Sequence, residues 1–170
     1  PNAGKSTFLS RVSSAHPKIA EYPFTTLRPH LGIVELDRFR RIVVADIPGL
    51  IEGASKGVGL GIAFLRHLER TRVMVHLLDP HGRDIDGLLH DHAVIRGEVQ
   101  AHSEQLAAKC TITALNKSDL LSPEQGSQMR ERLEQRLGEE VVLISGVTGQ
   151  GLKELLERLW MLLKEQDQPS

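Results

Sequence analysis

The sequence predicts an α/β domain in which a mostly parallel sheet is flanked by helices. Short apolar runs alternate with longer amphipathic segments along its 170 residues, which is the pattern of parallel strands joined by crossover helices. Polar, glycine-containing motifs follow directly on several of the apolar runs, and open α/β sheets bind ligands at the carboxyl ends of their strands. The length suits one domain with a sizeable core.

The hydrophobic periodicity locates each element in order. Strands are predicted at Leu31–Leu36, Arg41–Asp46, Val73–Asp79, Thr111–Asn116 and Val141–Ser145. Helices are predicted at Lys5–Ser14, Gly61–Thr71, Asp86–Ser103, Pro123–Leu137 and Gly151–Glu165. The last helix carries Leu152, Leu155, Leu156, Leu159, Leu162 and Leu163 on one face, which predicts that this face packs on the core.

The first motif is a phosphate-binding loop at the start of the first helix. The chain opens with the last six positions of G-x-x-x-x-G-K-[ST], so the first glycine of that pattern would lie two residues before Pro1. Backbone N–H groups around Gly4 and Lys5 are expected to cradle phosphates, helped by the helix N-terminus. Lys5 would reach the outer phosphates and the Ser6 hydroxyl would ligate magnesium. The alternative is a chance AGKST at a helix start.

The second motif, Asn116–Asp119, follows the strand at Thr111–Asn116. A carboxylate accepts two hydrogen bonds side by side, and guanine offers a ring N–H and an amine side by side, whereas adenine lacks both there. Asp119 can therefore reject the wrong base by roughly 10⁴-fold or more. Asn116 would hold the base edge and a neighbouring loop, and Lys117 would lay its alkyl stem on the purine face. An ordinary strand end is the alternative.

The third motif lies between these two, where the strand Arg41–Asp46 ends in Asp46-Ile47-Pro48-Gly49. An acidic residue at such a strand end can hold a magnesium-bound water, and the N–H of Gly49 can close on a γ-phosphate. The glycine-rich stretch Gly53–Gly61 comes next, and it reads as a switch that orders when that phosphate is present. A plain turn or a linker is the alternative.

Two weaker motifs complete the predicted site. Tyr22–Leu27 includes two threonines, one of which can complete the magnesium shell, and Pro23 and Pro29 favour an irregular loop there. Leu143–Val147 is a strand ending in a turn, whose backbone N–H groups can meet the guanine carbonyl oxygen. The residues expected to contact the nucleotide are Pro1, Asn2, Ala3, Gly4, Lys5, Ser6, Thr7, Phe24, Thr25, Thr26, Leu27, Arg28, Asp46, Ile47, Pro48, Gly49, Asn116, Lys117, Ser118, Asp119, Ser145, Gly146 and Val147.

Together these motifs resemble one known family. The runs PNAGKSTFL, YPFTTLRPHLG, DIPGLIEGASKGVGLG and NKSD are similar to the GTPase domain of the bacterial Obg family, over nearly the whole chain. The resemblance implies a P-loop NTPase fold of the Ras-like G-domain type. It also implies slow magnesium-dependent GTP hydrolysis, used as a switch in assembling the large ribosomal subunit and in growth or stress control. Gly146 departs from the family, which usually has Ala there.

The resemblance also assigns roles. The implied catalytic residues are Asn2, Lys5, Thr26 and Gly49, and the implied metal ligands are Ser6 and Thr26, the family pattern selecting Thr26 over Thr25. Leu50 stands where many GTPases have a water-orienting Gln, so unaided hydrolysis is expected to be slow. Asn2 occupies the position that holds a potassium ion in related potassium-stimulated GTPases. Capping of the loop backbone is the alternative role for Asn2.

The strand that normally leads into a phosphate loop is not seen before Pro1. In this fold it lies centrally, between the strands Arg41–Asp46 and Val73–Asp79. We therefore expect those two strands not to be hydrogen-bonded to each other, Pro1 to lie near the sheet centre, and the chain to belong to a longer protein with an N-terminal glycine-rich domain. The expected division is a G domain at 1–166 with the central strand missing, and a polar tail at 167–170.

Composition fits this interpretation. The single cysteine, Cys110, excludes an internal disulfide and suits a reducing cytosol. No apolar run is long enough for a membrane span. A cytoplasmic location and a monomeric state are also expected. The net charge is −1, and the short cluster Arg38, Arg40 and Arg41 is more typical of a hairpin turn than of an RNA site. The histidines His81, His90 and His92 fall in or near one polar segment. They are expected at the surface, and a metal site is the alternative.

The expected partners are GTP and GDP, with guanosine tetraphosphate a further candidate, and the large ribosomal subunit through the full-length protein. Two other function classes stay open at this stage. One is a nucleotide-gated binding module whose turnover is incidental, and the other is an ATP-using P-loop enzyme.

Overall fold

A computed structural model of the chain describes residues 3–19, 29–46 and 69–167. The strands are β1 (Lys18–Ile19), β2 (His30–Glu35), β3 (Arg41–Ala45), β4 (Val73–Leu78), β5 (Cys110–Leu115) and β6 (Val141–Leu143). The helices are α1 (Lys5–Val12), α2 (Ile85–His102), α3 (Glu104–Ala107), α4 (Pro123–Leu137) and α5 (Leu152–Asp167), with a 3₁₀ turn at Ser118–Leu120. The predicted bounds agree to within two residues wherever the structure describes them. The predicted helix Gly61–Thr71 falls largely outside the described residues.

The described strands form two separate sheets of three strands each. In the first, β1, β2 and β3 are antiparallel neighbours, and in the second, β4, β5 and β6 are parallel neighbours in that order. Within the described residues β3 and β4 are not paired, so the expectation that these two strands are not directly hydrogen-bonded is confirmed. Pro1 lies outside the described residues.

Helices cover both faces of the parallel sheet. Side chains alternate along a strand, so Ile112 and Ala114 of β5 face one way and Leu115 faces the other. The first face joins a cluster with α1, α5 and the β2–β3 hairpin, and the second joins a cluster with α2 and α4. Each fully buried aliphatic side chain in these clusters contributes about 1.5–3 kcal/mol. The predicted leucine face of α5 is confirmed, since Leu152, Leu155 and Leu159 are buried.

Local signals fix where the helices begin and end. The α4 helix begins at a capping box, in which Ser122 accepts from the Gln125 backbone N–H and the Gln125 side chain accepts from the Ser122 N–H. It ends at Gly138, whose φ of 70° is left-handed. Ser103 has extended backbone and separates α2 from α3, capping the second of these with its hydroxyl.

The hairpin between β2 and β3 is fixed to α5 through its tip. Asp37 Oδ1 accepts from the backbone N–H groups of Phe39 (2.9 Å) and Arg40 (3.0 Å). The Arg40 guanidinium reaches Glu157 on α5 at 2.6 Å and lies over the Trp160 ring. Carboxylates therefore pair with part of the arginine cluster, which is a hairpin tip as predicted. Among the described residues, no helix is long and apolar enough to cross a membrane.

Candidate nucleotide-binding site

The phosphate loop joins α1 at Gly4, where the backbone conformation and a close neighbour both favour glycine. Gly4 has φ +86°, a left-handed conformation that side chains rarely adopt. A Cβ at this position would lie 2.5 Å from Nδ2 of Asn116. No side chain caps the helix start, so the first backbone N–H groups of α1 lack intrahelical acceptors. These N–H groups and the helix dipole favour an anion at this position.

An ion pair lies beside the loop. Nζ of Lys5 is 3.4 Å from Oδ1 of Asp46, the residue that follows β3, and the Asp46 side chain is only 10% exposed. That oxygen is buried and accepts no hydrogen bond within the described part of the chain. A buried carboxylate oxygen without a donor suits a hydrated cation, so Ser6 and Asp46 supply oxygen atoms of the type that magnesium prefers.

Asn116 joins the phosphate loop to the loop after β6. Its Nδ2 donates to the Ala3 carbonyl at 2.8 Å, and its Oδ1 accepts from the Gly146 N–H at 3.0 Å. The residue is buried, so both of its polar atoms need partners inside the protein. The amide therefore fixes the distance between the two loops.

Lys117 lies next, in a strained backbone conformation. Its φ of 56° is the only left-handed value of a non-glycine residue in the described ranges, and such a conformation costs of order 1–3 kcal/mol. Its ammonium lies 2.5 Å from Oδ2 of Asp79, the residue that follows β4. Sequence reasoning missed Asp79. The sequence feature that could have indicated Asp79 is its place at the end of β4, since β4 is adjacent to the strand that leads into Asn116–Asp119.

The Asp119 carboxylate is held at one oxygen. The Ser145 hydroxyl donates to Oδ1 of Asp119 at 2.5 Å and accepts from the Thr148 N–H at 3.0 Å. Ser145 is fully buried whereas Asp119 is exposed. The Ser145 hydroxyl thus orients the carboxylate, which is still accessible to a ligand.

The structure revises the expected use of the loop at Ser145–Val147. The Ser145 N–H donates to the Gln150 carbonyl and the Gly146 N–H donates to Asn116. Two of the three backbone N–H groups expected to meet guanine therefore donate to acceptors within the protein. For the third, that of the exposed Val147, the contact stays a prediction. A Cβ on Gly146 would lie 3.4 Å from the Phe8 nitrogen, an ordinary contact, so alanine would fit.

An open cleft of about 530 Å³ connects the two loops. It is lined by Ser6, Thr7, Ser10, Arg11, Gly146 and Val147. Phosphate-loop and base-loop residues thus face the same space.

Residues 1–117 match the family of 50S ribosome-binding GTPases. The chain belongs to this family. Its resemblance to the Obg GTPases is confirmed by curated relatives of that name. The chain is 53% identical to GTPase Obg of Symbiobacterium thermophilum, over 97% of the chain and 39% of that relative. It is 52% identical to GTPase Obg of a Synechococcus strain, over 96% of the chain and 46% of the relative. The chain thus spans less than half the length of these curated relatives.

Solved structures of GTPase domains share the fold. The G domain of the T. maritima FeoB iron transporter aligns with a TM-score of 0.65 and 21% identity, over 96% of this chain and 93% of that one. A nucleolar GTP-binding protein 1 from Plasmodium falciparum aligns with a TM-score of 0.65 and 19% identity, over 98% of this chain and 84% of that one. The predicted P-loop GTPase fold is confirmed.

Part of the predicted GTPase site falls outside the described residues. These positions are Pro1, Asn2, Phe24, Thr25, Thr26, Leu27, Arg28, Ile47, Pro48 and Gly49. Their roles stay predictions. Within the described ranges no group of three or more His, Cys, Asp or Glu side chains is arranged to hold a metal, so the histidines form no metal site there.

Proposed function

We propose that the full-length protein binds GTP and GDP and hydrolyses GTP slowly, as a magnesium-dependent switch. One observation carries the proposal. Asn116 bonds to both the phosphate loop and the loop at Gly146, and residues of both loops line one cleft. The Asp119 carboxylate is tied to the second loop by the hydrogen bond from Ser145. Guanine recognition and phosphate binding are thereby joined in a single site.

The residues divide the work by chemistry. The N–H groups of Gly4–Thr7 and the ammonium of Lys5 bind the phosphates. Ser6 would ligate magnesium, Thr26 would join it in the triphosphate state, and Asp46 would hold a water of the metal shell. A metal held by these residues would neutralise phosphate charge. Because Lys5 pairs with Asp46 in this structure, the lysine must exchange one anionic partner for another when the nucleotide enters.

We infer slow hydrolysis from Leu50, whose apolar side chain cannot hydrogen-bond a water molecule. Asn2 is proposed to hold a potassium ion beside the bridging oxygens, where a cation offsets developing charge. Hydrolysis rates compared in potassium and sodium chloride at one ionic strength distinguish this role from capping of the loop backbone. Identical rates would remove the potassium ion from the proposal.

The family description, 50S ribosome-binding GTPase, supports the large ribosomal subunit as partner. A protein with that partner would act in the cytoplasm. A nucleotide-gated binding module is the second candidate, and Leu50 favours it because turnover without a water-positioning group is slow. Single-turnover hydrolysis by the full-length protein, measured with and without large ribosomal subunits, separates the two. A GTPase switch is stimulated by the subunit, whereas the module binds it in the GTP form with an unchanged rate. Guanosine tetraphosphate is a further candidate ligand.

A competition experiment tests which nucleotide the protein binds. Labelled GDP bound to the full-length protein should be displaced by GTP and GDP but not by ATP, because adenine offers Asp119 no pair of donors. Displacement by ATP at a similar concentration would contradict the guanine assignment and favour an ATP-using enzyme.

A further inference from the structure

Asp79 links two adjacent strand ends beside the Asn116–Asp119 motif. The β4 and β5 strands are parallel neighbours, with Leu78 opposite Leu115, so the residues that follow them emerge side by side. The backbone N–H of Asn116 also donates to the Leu78 carbonyl at 2.8 Å. Asp79 and Lys117 thus lie at one edge because of strand register, although 38 residues separate them in sequence.

Both oxygens of the Asp79 carboxylate are used. Oδ1 accepts from the His81 N–H at 2.9 Å, which fixes the turn after β4. Oδ2 lies 2.5 Å from Nζ of Lys117. The side chains are 23% and 29% exposed, so water screens this pair less than a fully exposed one. The turn therefore presents a fixed acceptor to the ammonium.

The Lys117 side chain is consequently held at both ends. Its backbone is fixed in the left-handed conformation by the end of β5 and by the bond from the Ser118 N–H to the Ile144 carbonyl. Its ammonium is fixed by Asp79. A lysine side chain otherwise samples many rotamers, and ordering it when a ligand binds costs conformational entropy. Here the ordering is already complete before a ligand arrives.

We propose that Asp79 is a positioning residue of the base pocket, which acts by anchoring the Lys117 ammonium so that the lysine stem lies ready for the purine face. The proposal rests on the proposed guanine site. Asp79 acts only through Lys117, and the base meets hydrocarbon rather than a mobile cation. Base choice stays with Asp119, so the anchor sets how tightly any purine nucleotide is held and leaves the preference for guanine unchanged.

The proposal predicts a specific kinetic pattern for Asp79→Asn in the full-length protein. The asparagine oxygen can keep the bond from His81, but the ion pair is lost. Affinities for GTP and GDP should fall by the same factor, about 3- to 10-fold. The value of kcat at saturation should be unchanged, and so should the ratio of GTP to xanthosine triphosphate affinity. Asp167→Asn is the matched control, since it removes a surface ion pair with Arg72, which precedes β4 at the opposite end of the strand from Asp79.

A double-mutant cycle with Lys117→Met separates anchoring from a structural role. If Asp79 acts through Lys117, Asp79→Asn has no further effect on nucleotide affinity once Lys117 is replaced. If Asp79 acts only by fixing the turn at His81, Asp79→Asn keeps that bond and leaves nucleotide affinity unchanged in both backgrounds. That result overturns the proposal, and so does an equal loss of affinity in both backgrounds. Asp79→Ser, whose hydroxyl can accept the same His81 bond, is the second uncharged variant in the cycle if Asp79→Asn does not fold.

Failure of this inference and failure of the proposed function give different results. A wild-type protein that binds GTP but shows additive effects in the cycle refutes the anchor alone. A wild-type protein that does not discriminate GTP from ATP refutes the guanine site itself.

Discussion

At the scale of single residues, Asp119 decides which base the site accepts. Its carboxylate accepts from the Ser145 hydroxyl at one oxygen, and the residue is exposed. Asp119→Asn replaces one of two acceptors by a donor, so guanine loses a bond and xanthine, with a carbonyl at that position, gains one. We expect weaker GTP binding, by about 100-fold or more, and stronger binding of xanthine nucleotides. Unchanged GTP affinity, measured by titration of the full-length protein, would show that the base lies elsewhere.

A second residue-scale feature lies beneath α2. The rings of His76 on β4 and His92 on α2 stack with centroids 4.8 Å apart, and Glu139 lies 3.4 Å from His92. Burial, together with repulsion from His92 and Arg96, lowers the pKa of His76 to about 3. Burial also lowers the pKa of His92, with Glu139 opposing the shift. The expectation that His92 is a surface histidine is wrong, since its side chain is only 13% exposed.

These shifts predict how stability depends on pH. The unfolded chain binds a proton at His76 near pH 6.5, while the folded chain resists protonation until about pH 3. The free energy of unfolding therefore falls as pH drops from 6.5 towards 3, by about 2 kcal/mol between pH 7 and pH 5 for this one group. His76→Phe keeps a stacked ring and cannot titrate. Urea unfolding at both pH values should show a smaller loss for the variant, and equal losses would contradict the assignment.

At the scale of elements, the capping box of α4 offers a matched pair of variants. Ser122 accepts the Gln125 N–H at 3.2 Å at the helix start, whereas Ser127 is exposed within the same helix. Ser122→Ala should lower the free energy of unfolding by about 1 kcal/mol because one helix-terminal donor loses its acceptor. Ser127→Ala should raise it by a few tenths of a kcal/mol at most, since Ala is the better helix former. Denaturant unfolding of the two variants checks the difference.

Elements with a periodic pattern were predictable from sequence, and those without one were not. The α4 bounds agree fully because Ser122, Pro123 and Gly138 are local signals. The two-residue strand β1 and the four-residue helix α3 are too short to show a period.

The residues of the site were likewise predictable from sequence only where they form contiguous motifs. The phosphate loop and Asn116–Asp119 are contiguous motifs that sequence reveals. By contrast, the pairing of Lys117 with Asp79 depends on which strands are neighbours, and the pairing of Arg40 with Glu157 spans 117 residues. Neither sequence segment by itself predicts a tertiary contact of this kind.

At the scale of the whole molecule, two sheets with separate hydrogen-bond networks share one hydrophobic cluster. Side chains bridge them, but no backbone hydrogen bonds join β3 to β4 in the described residues. Domains of this size are stable by only about 5–15 kcal/mol, so the lack of pairing between β3 and β4 in the described residues can cost much of that margin.

We therefore predict that the 170-residue chain alone binds nucleotide more weakly and unfolds at a lower temperature than the full-length protein. Thermal melts with and without GDP, run on both proteins, measure the effect. Equal melting temperatures and equal shifts with GDP would show that the two sheets need no further strand.

The outward face of the β2–β3 hairpin determines how the molecule behaves in concentrated solution. Ile33 and Val43 lie opposite each other on that face and are 53% and 68% exposed, and Phe39 at the tip is 88% exposed. A net charge of −1 and an isoelectric point near 6.8 provide little repulsion between copies at neutral pH. Solubility should therefore be lowest close to neutrality and rise on either side of it. Val43→Thr, which keeps a β-branched residue in the strand, should raise the concentration at which precipitation begins.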